Sequence, residues 1–229
     1  MIMFKSKKPL ILKINLHMKK NTIILFCLLS IIMVTAQESA KQIFSSPKLT
    51  TEIQNHKTVA ILPFKANISY KRKPENYSSQ TIKDEEAQLS YSLQSGMYTY
   101  LLRKSDNYFV SIQDIEKTNT LLKQNKAFEN IDDFTADTLA KILGVDAVIK
   151  CSYAYEKTRS EGGAIATAIL FGSGKVATGE LRMGIYNGKD GELLWRFYKQ
   201  MNEDVFSSAN AVIERMMRKV SRNFPYQKD

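Results

Sequence analysis

Apolar positions along the chain recur with two periods, and the switches between them mark out an alternating series of strands and helices. Lys57–Phe64 (KTVAILPF) is a brief, continuous, β-branched run closed by proline, the pattern of a strand covered on both faces. In Asp84–Lys104 the residues Leu89, Leu93, Met97, Tyr100 and Leu101 fall on one side of a 3.6-residue period, which predicts an amphipathic helix. Arg103 and Lys104 stand at its end, where they complement the helix dipole. Tyr108–Ser111 predicts a short strand, and Ser111 with Asp114 predicts the start of a helix over Ile112–Gln124. Asp133–Leu143 predicts a further helix, with Ala136, Leu139, Ala140 and Leu143 inward and Gly144 as its stop. Asp146–Glu156 reads as a strand. Val176–Asn187 and Glu192–Met201 read as the arms of a hairpin around Asn187-Gly188-Lys189-Asp190-Gly191, residues that tolerate positive φ. Leu181, Met183 and Ile185 share one face of the first arm, and Leu193, Trp195 and Phe197 one face of the second; both sets are expected against helices. A helix over Val205–Arg222, capped by Asp204 and ended by Pro225, closes the series with Val205, Ala209, Val212, Ile213, Met216 and Val220 on its apolar side.

Two stretches lack either period. Gln37–His56 reads as a flexible polar tether, and Ala66–Thr81, with Lys71, Arg72 and Lys73, as a solvated loop. The order strand, helix, strand, two helices, three strands, helix predicts a single-domain α/β fold over residues 57–225: a mixed β-sheet with helices packed on both faces.

A different pattern occupies the first residues. Met18–Gln37 places Lys19 and Lys20 before the uncharged apolar run Ile23–Val34, and Val34-Thr35-Ala36 supplies the small residues of a cleavage site. Residues 1–36 are therefore expected to be a signal peptide removed after Ala36. The run is shorter than the roughly 20 residues of a spanning helix, so a retained anchor is the lesser reading. Cys27 follows a bulky Phe26 and has too little apolar run before it for lipidation. Met1–His17, with four lysines and no acid, reads as an extension ahead of a true start at Met18.

That leader changes what the composition means. The full chain of 229 residues carries a formal charge of +10, but residues 1–36 hold six lysines and no acid, so 193 residues of net charge +4 remain. No basic stripe interleaved with aromatics survives, and nucleic acid is not an expected partner. Only Cys151 is left of two cysteines, which excludes an internal disulfide. It shares an alternation face with Ile149 and Tyr153 and reads as core.

Candidate chemistry is sparse. His56, the one histidine after the leader, lies on the expected tether, too loose for a Ser/His/Asp relay or a metal site. Gly172-Ser173-Gly174-Lys175 lacks the first glycine of a phosphate loop and has Val176 where Ser or Thr is needed. Asp84-Glu85-Glu86 and Asp132-Asp133 are expected at helix starts. Asn67-Ile68-Ser69 and Asn76-Tyr77-Ser78 match glycosylation sequons, a short pattern that arises often by chance. No catalytic residue, cofactor, metal or small-molecule substrate is expected, and an enzyme with an unrecognised site is the least favoured reading.

The series KTVAILPF, a long helix, LAKILGVDAVIKCSYAY, ELRMGIYNGKDGELLWRFYKQ and a closing amphipathic helix resembles a group of envelope proteins. The group comprises the curli secretion channel protein, the penicillin-binding-protein activator lipoprotein and the N-terminal domain of TolB. The likeness rests on the turn from helix to strand in LGVDAVI and on the hairpin NGKDGELLW, and covers about Lys57–Pro225. It implies a non-enzymatic protein of the bacterial periplasm, associated with the outer membrane, that binds envelope partners, self-associates, or assists assembly or secretion of a surface structure. The missing lipobox sets the chain apart from lipid-anchored members. Glu161–Gly174 (EGGAIATAILFGSG) is the segment that core packing explains least. A mobile or locally helical flap folded over the sheet edge is its plainer reading; Gly162, Gly163, Ile165, Ile169 and Phe171 are otherwise the candidate partner or membrane contact. In channel-forming members such segments become membrane hairpins, so an oligomeric outer-membrane channel subunit is the alternative. Lys175, Glu180 and Arg182 on the adjoining arm weigh against it, since charge facing lipid at mid-bilayer is costly.

Overall fold

A computed structural model describes residues 41–71, 78–157, 175–204 and 209–228. The strands are β1 (Gln42–Ser45), β2 (Thr58–Ile61), β3 (Lys65–Tyr70), β4 (Ser111–Ile112), β5 (Ala147–Lys157), β6 (Lys175–Asn187) and β7 (Leu193–Asp204). The helices are α1 (Leu49–Ile53), α2 (Ser79–Leu102), α3 (Ile115–Gln124), α4 (Ala136–Leu143) and α5 (Ala209–Ser221). One mixed seven-stranded sheet runs in the order β1-β7-β6-β5-β2-β4, with β3 also paired to β5. Strands β2, β3 and β5 are parallel, as are β2 and β4, whereas β5, β6, β7 and β1 are successively antiparallel.

Helices cover both faces, as the pattern predicts. On one side Val59, Ile61, Ile149, Cys151, Tyr153, Leu181, Met183, Ile185, Trp195 and Phe197 meet Leu93, Met97 and Leu101 of α2 and Ile213, Met216 and Val220 of α5. On the other, Ala60, Leu62 and Val148 meet Leu122 of α3 and Ala136, Leu139, Ala140 and Leu143 of α4. A continuous apolar run in β2 is what a strand needs when helices cover it twice. Gly96 lets α2 and α5 close on each other: a β-carbon there would stand 2.3 Å from the Ile213 side chain. Gly144 ends α4 with φ of +66°, and Asp146 then accepts the amides of Lys57 and Thr58 at 2.7 and 2.8 Å, fastening the helix-to-strand turn to the start of β2. Burial alone would raise the Asp146 pKa, but these amide bonds and nearby positive charge hold it below the usual carboxylate value.

Several predicted boundaries shift for physical reasons. The expected tether is ordered from residue 42: β1 pairs with β7, and α1 packs Ile53 into the core. The first five residues of the expected loop belong to β3, which continues the direction of β2 along β5 after the interruption at Pro63. Proline removes one amide donor but leaves the parallel pairing free to resume. Helix α2 begins five residues early, capped by Ser78, so Asp84, Glu85 and Glu86 lie within it. There Glu86 accepts the amide of Ile68 and Glu85 the hydroxyl of Tyr70. Asp132 and Asp133 fall in a single 3₁₀ turn ahead of α4, with Asp132 paired to Lys65. Asp114, rather than Ser111, caps α3.

The expected strand at Tyr108–Ser111 divides. Tyr108 bridges to Gln227 of the C-terminal segment, and only Ser111–Ile112 joins β2. A register shift in the β6–β7 hairpin places Ile185 opposite Trp195 but Tyr186 opposite Leu193. Leu194 is the extra residue of this bulge, so Leu194 takes the inward position beside Trp195 that alternation assigned to Leu193. Asp204 ends β7 instead of capping a helix, and the described helix starts at Ala209, so Val205 lies outside the described residues. No helix among the described residues is long and apolar enough to cross a membrane.

Candidate binding face

Strand pairing fixes which side chains share the second sheet face where α3 and α4 leave it uncovered. One cross-strand row is Lys65, Ser152, Arg182, Tyr198 and Gln42; the next is Lys150, Gly184, Arg196 and Phe44. Residues directly opposite each other across a sheet project to the same side. Both rows therefore look outward from the side opposite α2 and α5.

This surface is concave. Lys65, Asp132, Lys150, Ser152, Arg182, Tyr186 and Arg196 line a depression of about 450 Å³. A second, of about 590 Å³, shares Arg182 and Arg196 with it and adds Gln42, Ile43, Phe44 and Tyr198. Gly184 puts no side chain of its own between Lys150 and Arg196; Tyr186 and Leu193 pack over it instead, and a β-carbon would stand 2.8 Å from the Tyr186 ring.

Charge on the face is uneven. Lys65 pairs with Asp132 at 2.5 Å, and Arg182 pairs with Glu180 at 3.1 Å while stacking over the Tyr198 ring. The hydrogen bond from Lys65 holds the Asp132 carboxyl below its usual pKa, partly opposed by burial. Lys150 and Arg196 form no ion pair with any described residue. Phe44, 49% exposed, lies beside Arg196 on β1, an edge strand of the described sheet, and Ile43 is 40% exposed. The arrangement offers hydrogen-bonding cations flanked by aromatic surface, which suits binding of an anionic group without requiring a nucleophile or base.

The residues singled out for chemistry have structural positions. His56 is not on a loose segment: it is 5% exposed and sits between Tyr226 of the C-terminal segment and Asn187 at the end of β6. The Tyr226 hydroxyl donates to its Nδ1 at 2.7 Å, leaving Nε2–H to point at Asn187 Oδ1 at 3.4 Å; Asn187 in turn donates to Glu52. Burial lowers the His56 pKa, partly offset by Asn187 and the charges of Asp146 and Glu52. Cys151 is buried as expected, and burial pushes its thiol well above the usual range.

A third depression, of about 500 Å³, lies at the carboxyl end of β2. Its amides Gln94 and Asn119 exchange two hydrogen bonds of 3.0 Å, and Gln94 also donates to the carbonyl of Ile61. They lock α2 to α3 rather than presenting free donors.

The sequence-based contact residues Gly162, Gly163, Ile165, Ile169 and Phe171 lie outside the described residues, as does the glycine-rich Gly172–Gly174. Their segment joins β5 to β6, the strands that carry Lys150 and Arg182. The open face itself was missed, because its signal is cross-strand. Lys150 and Arg196 lie 46 positions apart, and only the pairing of each with Gly184 brings them together.

No protein-family model and no curated protein matches the chain. Among solved structures it is similar to lipoprotein GNA1162 from Neisseria meningitidis, at 14% identity and a TM-score of 0.47, over 72% of this chain and 96% of that one. It is also similar to the PelC dodecamer from Paraburkholderia phytofirmans, at 15% identity and a TM-score of 0.41, over 83% and 98%. The LpoB C-terminal domain from Salmonella enterica is 10% identical with a TM-score of 0.34, over 69% and 94%. The fold assignment rests on strand order and register, independently of these likenesses.

Proposed function

We propose that this chain is an exported, non-catalytic protein of the cell envelope that works by binding a protein partner through the open face of its sheet. The observation that carries the reading is the concave surface around Gly184, where Lys150 and Arg196 form no ion pair with any described residue and exposed Phe44 lies beside Arg196. Export is supported by the basic, apolar and small-residue succession of Met18–Ala36. The location proposed is the periplasm, and outer-membrane association rests on the family resemblance of LGVDAVI and NGKDGELLW alone. The contact assigned to Gly162–Phe171 belongs to the same reading, since that segment adjoins the face in the chain.

Cell fractionation with N-terminal sequencing tests it. The expected result is a periplasmic protein that begins at Gln37 and migrates in size exclusion with a partner or with itself. A cytoplasmic protein that keeps residues 1–36, or a processed one that is strictly monomeric after in-cell crosslinking, would overturn the reading.

A further inference from the structure

Building on that binding role, the geometry points to a chemical class of partner: we propose that the open face takes an acidic, extended peptide segment whose carboxylates recur every third residue. Four cations alternate between the two rows, Lys65 and Arg182 in one, Lys150 and Arg196 in the other. They make a zigzag across the strands rather than along one of them. With neighbouring strands about 4.8 Å apart, Lys150 and Arg196, both opposite Gly184, are separated by about 10 Å, and so are Lys65 and Arg182, both opposite Ser152.

Two of the four already have acidic partners, Lys65 in Asp132 and Arg182 in Glu180. Among the described residues, the charge without an ion-pair partner on this face is thus concentrated on Lys150 and Arg196, with Gly184 between them. A segment in the polyproline II conformation advances about 3.1 Å per residue and repeats its side-chain direction every three residues, a step of about 9 Å. Carboxylates at positions i and i+3 of such a segment would meet both cations at once. Tyr198, Tyr186 and Phe44 line the same depressions and supply the aromatic surface on which extended, proline-containing segments dock. The guanidinium of Arg196 adds a forked donor matched to a carboxylate.

The test is fluorescence anisotropy with a fluorescein-labelled (Glu-Ala-Pro)₄ peptide and the protein purified from the cell, at low ionic strength. The expected result is saturable binding that weakens at least tenfold in the double variant Lys150→Glu/Arg196→Glu and in high salt. The Lys126→Glu variant, at an exposed residue that lines neither depression, should bind as the unaltered protein does. Arg196 is exposed and Lys150 half-buried, and unchanged circular dichroism should accompany the loss; Lys150→Gln/Arg196→Gln, which keeps hydrogen bonding but not charge, should show a smaller loss. Equal affinity in the double variant would overturn the proposal. So would no binding, or binding of polygalacturonate without binding of the peptide, which would assign the face to an anionic glycan. Failure here with a persisting in-cell crosslink from Tyr198 would sink the acidic-segment inference and leave the partner-binding role standing.

Discussion

His56 shows how far a residue's meaning depends on its surroundings. Polar neighbours in the sequence suggest a loose position, yet the side chain joins Tyr226, Asn187 and, through Asn187, Glu52 in a buried hydrogen-bonded chain. Such a chain is stable only when its members are satisfied, and protonation of Nδ1 removes the acceptor that Tyr226 uses. Burial sets the folded His56 pKa below the ordinary value of 6.5. The unfolded chain therefore binds the proton more readily, and folding stability is complete above that value and falls as pH drops through and below it. Urea unfolding at pH 7.5 and at pH 5 should show a lower midpoint at pH 5, and His56→Gln should flatten the difference. The lowered values of Asp132, Asp137 and Asp146 start from 3.8 and do not contribute between those pH values. An unchanged slope in the variant would contradict this account.

Between elements, what matters is how closely they approach and in what register. The 3.6-residue period located the buried side of α2, since Leu93, Met97, Tyr100 and Leu101 are all buried, and it located α4 equally well. It did not foresee β3, whose exposed–half-buried alternation with Lys65, Asn67 and Ser69 outward looks like a loop until β5 pairs with it. Nor could alternation foresee the bulge at Leu194, because an inserted residue changes parity without changing composition. Gly96 belongs to this scale too. Gly96→Leu would force a side chain into the space held by Ile213 and is expected to cost about 1–3 kcal/mol, as overpacked cores do. Thermal denaturation measures it; a variant as stable as the original would mean that α2 and α5 separate freely.

For the molecule as a whole, patterning made the fold class legible: a double-covered β2 and four amphipathic helices leave few alternatives to a mixed sheet with helices on both sides. The candidate site was much less legible. Its cations come from β3, β5, β6 and β7, and both chain neighbours of Lys150, Arg182 and Arg196 are core residues. The modest charge of +4 over residues 37–229 also conceals a local excess, because acids elsewhere offset it. Binding at that face is the central claim, and site-specific photocrosslinking in living cells tests it most directly. A photoreactive residue at Tyr198, on the open face, is predicted to yield a discrete adduct, whereas one at exposed Lys126 yields none. Adducts of equal intensity from both positions, or none from Tyr198 under conditions where the protein is exported and folded, would contradict the account.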